Sequence, residues 1–389
     1  MAALSPETLP EVRISKKGVL RFAGGHPWIF RSDITDSSAA GSGDTVRVLG
    51  PRNELLTLAH YSSSSQIALR ALGKGPFDIS ERIAAAQRFR ESVVTDSNAY
   101  RLVHAEADFL PGLIIDRYAD SFVVQALDQS MDRAVPEIVA ALETQFQPQL
   151  IVARHDAAVR SLEELPREVK IISGESSGAV PIRMNGFELE ADLLHGQKTG
   201  VFLDQRENYL AAARYAKGRA LDFFTSTGGF ALHLARSCDE VEGIDSSGPA
   251  LAAACANAER NRVTNVHFRE ADAFDVLASY ASSRRTFDTI ILDPPAFAKS
   301  RKQLEGAARG YKDINLRALR LLQPGGVLVT CSCSHHVSEA MLLEIVAEAS
   351  LDAGRTLRVL ERRTQAADHP ILLTVPETLY LKCLILQVT

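Results

Sequence analysis

From residue 191 onward, short apolar runs alternate with longer stretches in which apolar residues recur at helical spacing. Such runs are typical of strands that are buried on both faces of a parallel sheet. We therefore predict a doubly wound, Rossmann-like α/β domain over residues 191–389. Its predicted strands are Ala220–Phe224, Glu240–Asp245, Val266–Glu270, Thr289–Asp293 and Val327–Cys331; its helices lie near 230–237, 248–262, 311–322 and 337–353; Thr356–Glu361 and Leu379–Val388 form a closing hairpin.

The first half of the chain has a different pattern. Residues 11–76 contain short β-like runs separated by Gly, Pro, Asn and Ser, which predicts a small barrel or sandwich. The runs are Val19–Phe22, Thr45–Val48, Leu55–His60 and Gln66–Leu72. Residues 77–190 mix strands and helices, which predicts an α+β middle domain. Its predicted elements are helices over Phe77–Val94 and Ala134–Phe146, and strands over Leu113–Asp116 and Phe122–Ala126.

Composition narrows the class of protein. The 389 residues are 46% hydrophobic and 23% charged, as in a globular protein with several cores. No apolar stretch approaches the roughly 20 residues of a membrane span, and no secretory signal opens the sequence, so we expect a cytoplasmic protein without membrane contact. Five cysteines in so large a chain are expected to be free thiols, and no His/Cys spacing indicates a metal site.

The net charge of −5 neither favours nor excludes a nucleic-acid partner, but positive charge is locally clustered. One cluster lies within residues 11–31 and the other within residues 299–312. An ordinary solvated surface and a phosphate-binding surface both explain such clusters. The candidate RNA-binding residues are Lys16, Lys17, Arg21, Lys299 and Arg309.

Four predicted strand ends carry residues suited to a cofactor, because ligands of doubly wound sheets bind where strands end. These residues are Asp222 with the turn Ser226, Thr227, Gly228 and Gly229, then Asp245, then Asp272 with Ala273, and finally Asp293. Asp245 can accept hydrogen bonds from ribose hydroxyls, and Asp272 can accept a hydrogen bond from an adenine amino group. A purely steric role for the turn and a helix cap at Asp245 stay open. The turn departs from Gly-x-Gly-x-x-Gly, which disfavours a nicotinamide oxidoreductase.

The fourth strand end is the most specific. Two prolines follow the carboxylate in Asp293-Pro294-Pro295, and they form a rigid platform suited to a planar base. A glycine turn, two acids and this segment, in that order, indicate a methyltransferase site.

Residues 191–389 resemble class I S-adenosylmethionine (SAM) methyltransferases. Within them, residues 195–208 (HGQKTGVFLDQREN) resemble the entry segment of the bacterial ribosomal RNA large-subunit methyltransferase I family, which forms 5-methylcytosine in 23S rRNA. Residues 21–30 resemble the start of its RNA-binding PUA domain, residues 105–118 its middle domain, and residues 309–315 are also similar. The resemblance assigns residues 11–76 to a PUA-like domain.

The resemblance implies SAM as cofactor and 23S rRNA, naked or in an assembling large subunit, as partner; a homodimer is left open. It also implies that a group of residues lines the methionine end of the cofactor, with Arg206 facing its carboxylate. That group is Gln197, Thr199, Phe202, Asp204 and Arg206. A simple ion pair between Arg206 and Asp204 is the alternative.

Cytosine C5 is a poor nucleophile, so its methylation requires a thiolate to add first at C6. Cys333 follows the fifth predicted strand, beside the strand that ends at Asp293, and the family pattern Ser-Cys-Ser favours it over Cys331. Asp293 is expected to hydrogen-bond the cytosine ring. A structural role for Cys333 is the alternative. His335 and His336 are interpreted as a solvent-facing pair.

Two other functions remain open at this point. A methyltransferase acting on a base amino group would share the Asp-Pro-Pro platform but would need no cysteine. A non-catalytic RNA-binding assembly factor would share the N-terminal domain without using the cofactor.

Overall fold

The computed structural model of the protein describes residues 8–176, 178–196, 198–283, 285–298 and 300–389, with the side chain of Arg301 left out. The chain divides into two units, each built from three segments. The first comprises Met1–Arg183, Ala191–Val201 and Ala367–Thr378, and the second comprises Met184–Glu190, Phe202–Ala366 and Leu379–Thr389. Among the helices of the described residues, none is both long and apolar enough to cross a membrane.

The first unit begins with a six-stranded sheet. Its strands are β1 (Glu11–Ile14), β2 (Trp28–Phe30), β3 (Ile34–Asp36), β4 (Thr45–Leu49), β5 (Leu55–Tyr61) and β6 (Ile67–Gly73). Their order is β2-β6-β5-β4-β1-β3, and only the pair β1–β4 is parallel. Alternate residues of β1, Val12 and Ile14, are buried in its core. The predicted strands over residues 45–48, 55–60 and 66–72 are thereby confirmed.

The predicted strand Val19–Phe22 is wrong, because these residues belong to helix α1 (Lys16–Ala23). Ser15 caps this helix, since its hydroxyl accepts a hydrogen bond from the Gly18 amide at 3.2 Å. Val19 and Phe22 pack against the core of the sheet, and their three-residue spacing fits one face of a helix.

A five-stranded sheet follows in the first unit. It consists of β7 (Ala99–His104), β8 (Leu113–Tyr118), β9 (Ser121–Ala126), β10 (Leu150–Arg154) and β11 (Val169–Ser173), in the order β11-β10-β9-β8-β7. The helices are α2 (Ile79–Val93), α3 (Gln129–Arg133) and α4 (Val135–Phe146). Both predicted helices and both predicted strands of this region are confirmed. A two-stranded sheet, β12 (Ala179–Met184) with β13 (Phe187–Asp192), comes next along the chain.

The second unit contains a seven-stranded sheet. Its strands are β14 (Arg219–Phe223), β15 (Glu240–Asp245), β16 (Val266–Glu270), β17 (Phe287–Leu292), β18 (Leu322–Ser332), β19 (Leu357–Arg363) and β20 (Lys382–Val388). Their order is β16-β15-β14-β17-β18-β20-β19. The first five in this order run parallel, and β20 and β19 are antiparallel. The predicted parallel strands and closing hairpin are confirmed.

Six helices accompany this sheet: α5 (Arg206–Tyr215), α6 (Gly229–Leu234), α7 (Gly248–Arg260), α8 (Ala273–Ser282), α9 (Leu304–Leu321) and α10 (Glu339–Asp352). Helix α9 begins seven residues before its predicted start at residue 311. Because the chain leaves β14 in one direction along the sheet for β15 and returns to its other side for β17, a crevice forms at the carboxyl ends of β14 and β17.

Candidate active site at the carboxyl ends of the parallel strands

The turn between β14 and α6 has an unusual backbone. Phe224 and Ser226 lie in the left-handed region, with φ of 64° and 49°, although neither is a glycine. The Thr225 amide donates to the Ile244 carbonyl at 3.1 Å, and the Ser226 amide donates to Asp245 Oδ2 at 2.9 Å. Two strained residues held by the neighbouring strand end are typical of ligand-binding turns.

Asp222 lies beneath this turn and is fully buried. Its Oδ2 accepts hydrogen bonds from the Thr225 hydroxyl at 2.6 Å and the Ala231 amide at 3.0 Å. Its Oδ1 is buried and has no hydrogen-bond partner in the part of the chain that the structure describes. Burial, assisted by the negative charges of Asp293 and Asp245, raises the pKa of Asp222 to about 7.

This raised pKa predicts a pH-dependent stability that Asp222→Asn should remove. The unfolded carboxyl ionises near pH 4 and the folded one near pH 7, so the free energy of unfolding falls as pH rises between these values. From about pH 5 to about pH 8, we expect the free energy of unfolding of Asp222→Asn to rise by about 2–3 kcal/mol relative to that of wild type. Denaturant unfolding at both pH values measures this difference.

The control for this prediction is Asp239→Asn, because Asp239 is exposed. This variant should follow the wild-type pH dependence. A stability difference between Asp222→Asn and wild type that stays the same at both pH values would contradict the prediction.

Asp245 and Asp272 have different roles at their strand ends. Asp245 does not cap α7: the N-cap is Ser247, and Asp245 Oδ1 accepts from the Ser247 amide at 2.9 Å. Asp272 is the N-cap of α8, where its Oδ1 accepts from the amides of Phe274 at 2.8 Å and Asp275 at 3.2 Å. Ala273, beside it, is the buried first residue of α8. Asp245 therefore lacks the capping role that was considered for it, whereas Asp272 caps the helix that follows it.

Asp293 follows β17 and is fixed by a glutamine. Its Oδ2 accepts a hydrogen bond from Gln205 Nε2 at 2.9 Å, and Gln205 Oε1 accepts from Asn208 Nδ2 at 2.7 Å. Gln205 is 2% exposed. Next in the chain, Pro294 is buried and Pro295 is exposed. The carboxylate is thus held in place at the start of the proline platform.

Cys333 lies one residue past β18, the parallel neighbour of β17. Its Sγ is 3.9 Å from the Pro294 carbonyl oxygen, and the residue is half-buried. The hydroxyls of Ser332 and Ser334, on either side, are 2.9 Å and 3.2 Å from Tyr311 Oη. The thiol is therefore next to the platform, on a segment fixed by α9.

Cys331 has a different environment. It is fully buried in β18 opposite Cys383, and burial raises the pKa of its thiol well above the ordinary value. Such a thiol is a poor nucleophile. His335 and His336 are exposed, as the sequence interpretation expects.

The entry segment is divided between the two units. In the first unit, the Thr199 hydroxyl donates to Asp116 Oδ2 at 2.6 Å and lies 2.9 Å from Tyr118 Oη. In the second unit, Asp204 Oδ2 accepts from Tyr380 Oη at 2.8 Å, while the Arg206 guanidinium donates to Glu207 at 3.3 Å. The Phe202 carbonyl accepts from Tyr209 Oη at 3.4 Å. Gln197 lies outside the described residues.

The candidate RNA-binding residues also differ in their surroundings. Lys16 and Lys17 are exposed on α1, and Arg309 is exposed on α9. Arg21 forms an ion pair with Asp33, and its guanidinium carbon lies 4.7 Å from the centre of the Phe30 ring. Lys299 lies outside the described residues.

Two residues that contact the candidate segments were not predicted: Gln205, which donates to Asp293, and Lys382, whose Nζ donates to the Ser334 carbonyl at 2.7 Å. Gln205 stands between the candidates Asp204 and Arg206, and this position in the sequence could have indicated a role in the site. Lys382 is a single charged residue in the apolar run Leu381–Leu386, and a charge inside a buried strand was its signal.

The chain is also similar to known domains and proteins. A PUA-like domain model matches residues 12–74, and a methyltransferase domain model matches residues 216–370. A protein named ribosomal RNA large subunit methyltransferase I from Shigella boydii serotype 18 is 38% identical over 371 residues, covering 92% of this chain and 94% of the relative. A protein of the same name from Pseudoalteromonas translucida is 40% identical over 377 residues, covering 93% and 95%. The chain belongs to the ribosomal RNA large subunit methyltransferase I family.

The fold of this family member is also found in solved structures. A Streptococcus mutans protein, assigned as a SAM-dependent methyltransferase, aligns with a TM-score of 0.81 at 19% identity, covering 98% of this chain and 100% of that chain. A methyltransferase solved with S-adenosylhomocysteine gives a TM-score of 0.82 at 18% identity, with the same coverage. The expected α/β fold with PUA-like and methyltransferase domains is confirmed. The second neighbour binds S-adenosylhomocysteine, the demethylated form of the expected cofactor SAM.

Proposed function

We propose that this enzyme methylates C5 of a cytosine in 23S rRNA, with Cys333 as the nucleophile. The observation that carries the proposal is the position of the Cys333 thiol, 3.9 Å from the Pro294 carbonyl of the Asp293-Pro294-Pro295 platform. The relatives named ribosomal RNA large subunit methyltransferase I support the coarser activity, methylation of rRNA.

The residues around the crevice fit SAM. Asp222 Oδ1 is a buried acceptor without a partner among the described residues, so a polar ligand there would satisfy it. We assign the cofactor to this acceptor, to the turn Ser226, Thr227, Gly228 and Gly229, and to Asp245, Asp272, Ala273 and Asp293. Gln197, Thr199, Phe202, Asp204 and Arg206 complete the proposed set at the methionine end. When bound, the cofactor supplies an electrophilic methyl group.

In the proposed reaction, the Cys333 thiolate forms a bond to cytosine C6, and the electron pair of the C5–C6 double bond moves onto C5. C5 would then bond to the methyl group as the methyl–sulfur bond breaks and its electron pair stays on the cofactor sulfur. Asp293, protonated in this step, donates a hydrogen bond to the ring and stabilises the negative charge that develops there. A base then removes the C5 proton, and the electron pair of that C–H bond expels the thiolate from C6. The better-known RNA cytosine methyltransferases have a second cysteine directly after the corresponding Asp-Pro pair, and it helps to release the product. Pro295 stands at that position here, so product release uses another group.

The RNA is proposed to contact the exposed Lys16 and Lys17 of the PUA-like domain, and also Arg21, Lys299 and Arg309. Phosphate contacts of this kind position the nucleic acid without reading its sequence. The target base must leave its stack, because a thiol cannot reach C6 of a stacked cytosine.

Nucleoside analysis tests this function. Purified enzyme is incubated with isotope-labelled SAM and either naked 23S rRNA or large-subunit assembly intermediates, and the digested RNA is analysed by mass spectrometry. We expect the label in 5-methylcytidine. In bisulfite sequencing of rRNA from cells without the gene, we expect the loss of one position that resists bisulfite in normal cells. Label in N4-methylcytidine or a methylated purine amine would instead establish the amino-group chemistry. SAM binding without any transfer to RNA would favour the assembly factor.

A further inference from the structure

A buried lysine lies beside the Cys333 segment. Lys382 is the first residue of β20, and only 3% of its surface is exposed. Its Nζ donates hydrogen bonds to the Ser334 carbonyl at 2.7 Å and the Tyr380 carbonyl at 2.9 Å. Burying an ammonium group is costly, and neutral carbonyls compensate only part of that cost. A group that carries negative charge during the reaction would complete the compensation.

The position of Lys382 is fixed by the sheet. Strands β18 and β20 pair antiparallel with Ser332 opposite Lys382 and Cys331 opposite Cys383. Because successive side chains of a strand point to opposite faces, a shift by one residue would turn Lys382 to the other face of the sheet. The register therefore holds the ammonium against the backbone of Ser334, the residue that follows Cys333.

Lys382 also interacts electrostatically with Cys333. Burial lowers the pKa of Lys382 to about 8, and negative charge on Cys333 opposes this shift. Other titratable groups lie on the surrounding segments. Tyr311 on α9 has a pKa raised by burial and by Cys333, Asp293 precedes the Pro294 carbonyl, and the exposed His335 ring lies 5.9 Å from that of Tyr380. Attraction between the ammonium and a thiolate is mutual, so each group stabilises the charged form of the other.

We infer that Lys382 is a positioning residue that holds the segment Cys333–Ser334 by its hydrogen bond and stabilises the Cys333 thiolate by its charge. The thiol proton leaves to solvent, the electron pair stays on sulfur, and Lys382 remains protonated. The inference rests on the proposed role of Cys333 as nucleophile.

The test is the pH dependence of Cys333 alkylation in the full chain, without RNA or cofactor. Iodoacetamide modification is followed by peptide mass spectrometry from about pH 6 to pH 10, since the thiolate is the reacting form. We expect a wild-type midpoint below the ~8.5 of an unperturbed cysteine. Lys382→Met removes the charge but keeps a long side chain, and it should raise the midpoint by about one unit, which slows alkylation at pH 7 about tenfold.

Two controls separate charge from structure. Cys255 is exposed on α7, and its alkylation in the same sample should be unchanged by the substitution. Lys382→Arg retains the positive charge and should retain the low midpoint. An unchanged midpoint in folded Lys382→Met overturns the inference. If circular dichroism shows that Lys382→Met does not fold, a wild-type midpoint at or above ~8.5 overturns it instead.

These results can be distinguished from failure of the proposed function. Nucleoside analysis reports the methylated atom whatever the thiol titration shows. A low, Lys382-dependent midpoint with no 5-methylcytidine would leave the electrostatic role standing and remove the proposed reaction, whereas 5-methylcytidine with an unchanged midpoint would do the reverse.

Discussion

Cys333→Ala should abolish methyl transfer to RNA, with a loss of at least about 10³-fold in single-turnover rate. The substitution removes the sulfur that adds to C6, and without that addition C5 has too little electron density to accept the methyl group. The measurement is transfer of labelled methyl from SAM to saturating 23S rRNA. Because Cys333 is half-buried after the end of β18, the loss should occur without unfolding.

The matched control is Cys331→Ala, two residues earlier on β18. Cys331 is fully buried, so this variant should lose about 1 kcal/mol of stability and keep most of its activity. RNA that carries 5-fluorocytosine gives a second readout, since fluorine at C5 cannot leave as a proton and the adduct persists. Wild type and Cys331→Ala should form the adduct and Cys333→Ala should not. Wild-type activity in Cys333→Ala would disprove the covalent mechanism.

Asp293→Asn should lower kcat by about 10²-fold while changing KM for RNA little. The asparagine oxygen can still accept the hydrogen bond from Gln205 Nε2, so the position of the side chain is kept and its acidic proton is lost. An effect on kcat would show that the carboxyl group of Asp293 stabilises the negative charge of the ring in the transition state.

Gln205→Ala is the companion variant, since it removes the hydrogen bond that holds Asp293 but leaves the carboxyl group itself. We expect a smaller fall in kcat, about tenfold, from lost orientation. If Asp293→Asn instead raised KM and left kcat unchanged, Asp293 would contribute to binding of the RNA and not to the chemical step.

The strand ends were predictable from sequence because a buried parallel strand leaves a continuous apolar run, and the first polar residue after it marks the edge of the sheet. Asp293 directly follows β17 and fits this rule, whereas Asp245 is the last residue of β15 and Asp222 the last but one of β14. Their roles were less visible. Asp245 and Asp272 both stand before a helix, and only the hydrogen bonds show that the second caps its helix while Ser247 takes that place near the first.

Two features were missed for different reasons. Helix α1 was predicted as a strand because Val19–Phe22 is short and mostly apolar, although Ser15, three residues before the Gly18 amide that it caps, is a local signal for the start of a helix. Lys382 is about fifty residues from Cys333 along the chain, and the two are brought together by the pairing of β18 with β20. Pairings between distant strands are set by the whole fold rather than by nearby residues.

The interleaving of the units has a practical consequence for dissecting the protein. Each unit is assembled from three separated segments, so no single cut in the gene or by a protease divides one from the other. A fragment limited to the matched methyltransferase region, residues 216–370, would lack β20. Strand β18 would then become an exposed, apolar sheet edge, and such edges recruit other chains. Aggregation of that fragment would reflect where it was cut, and would say nothing about the stability of the intact enzyme.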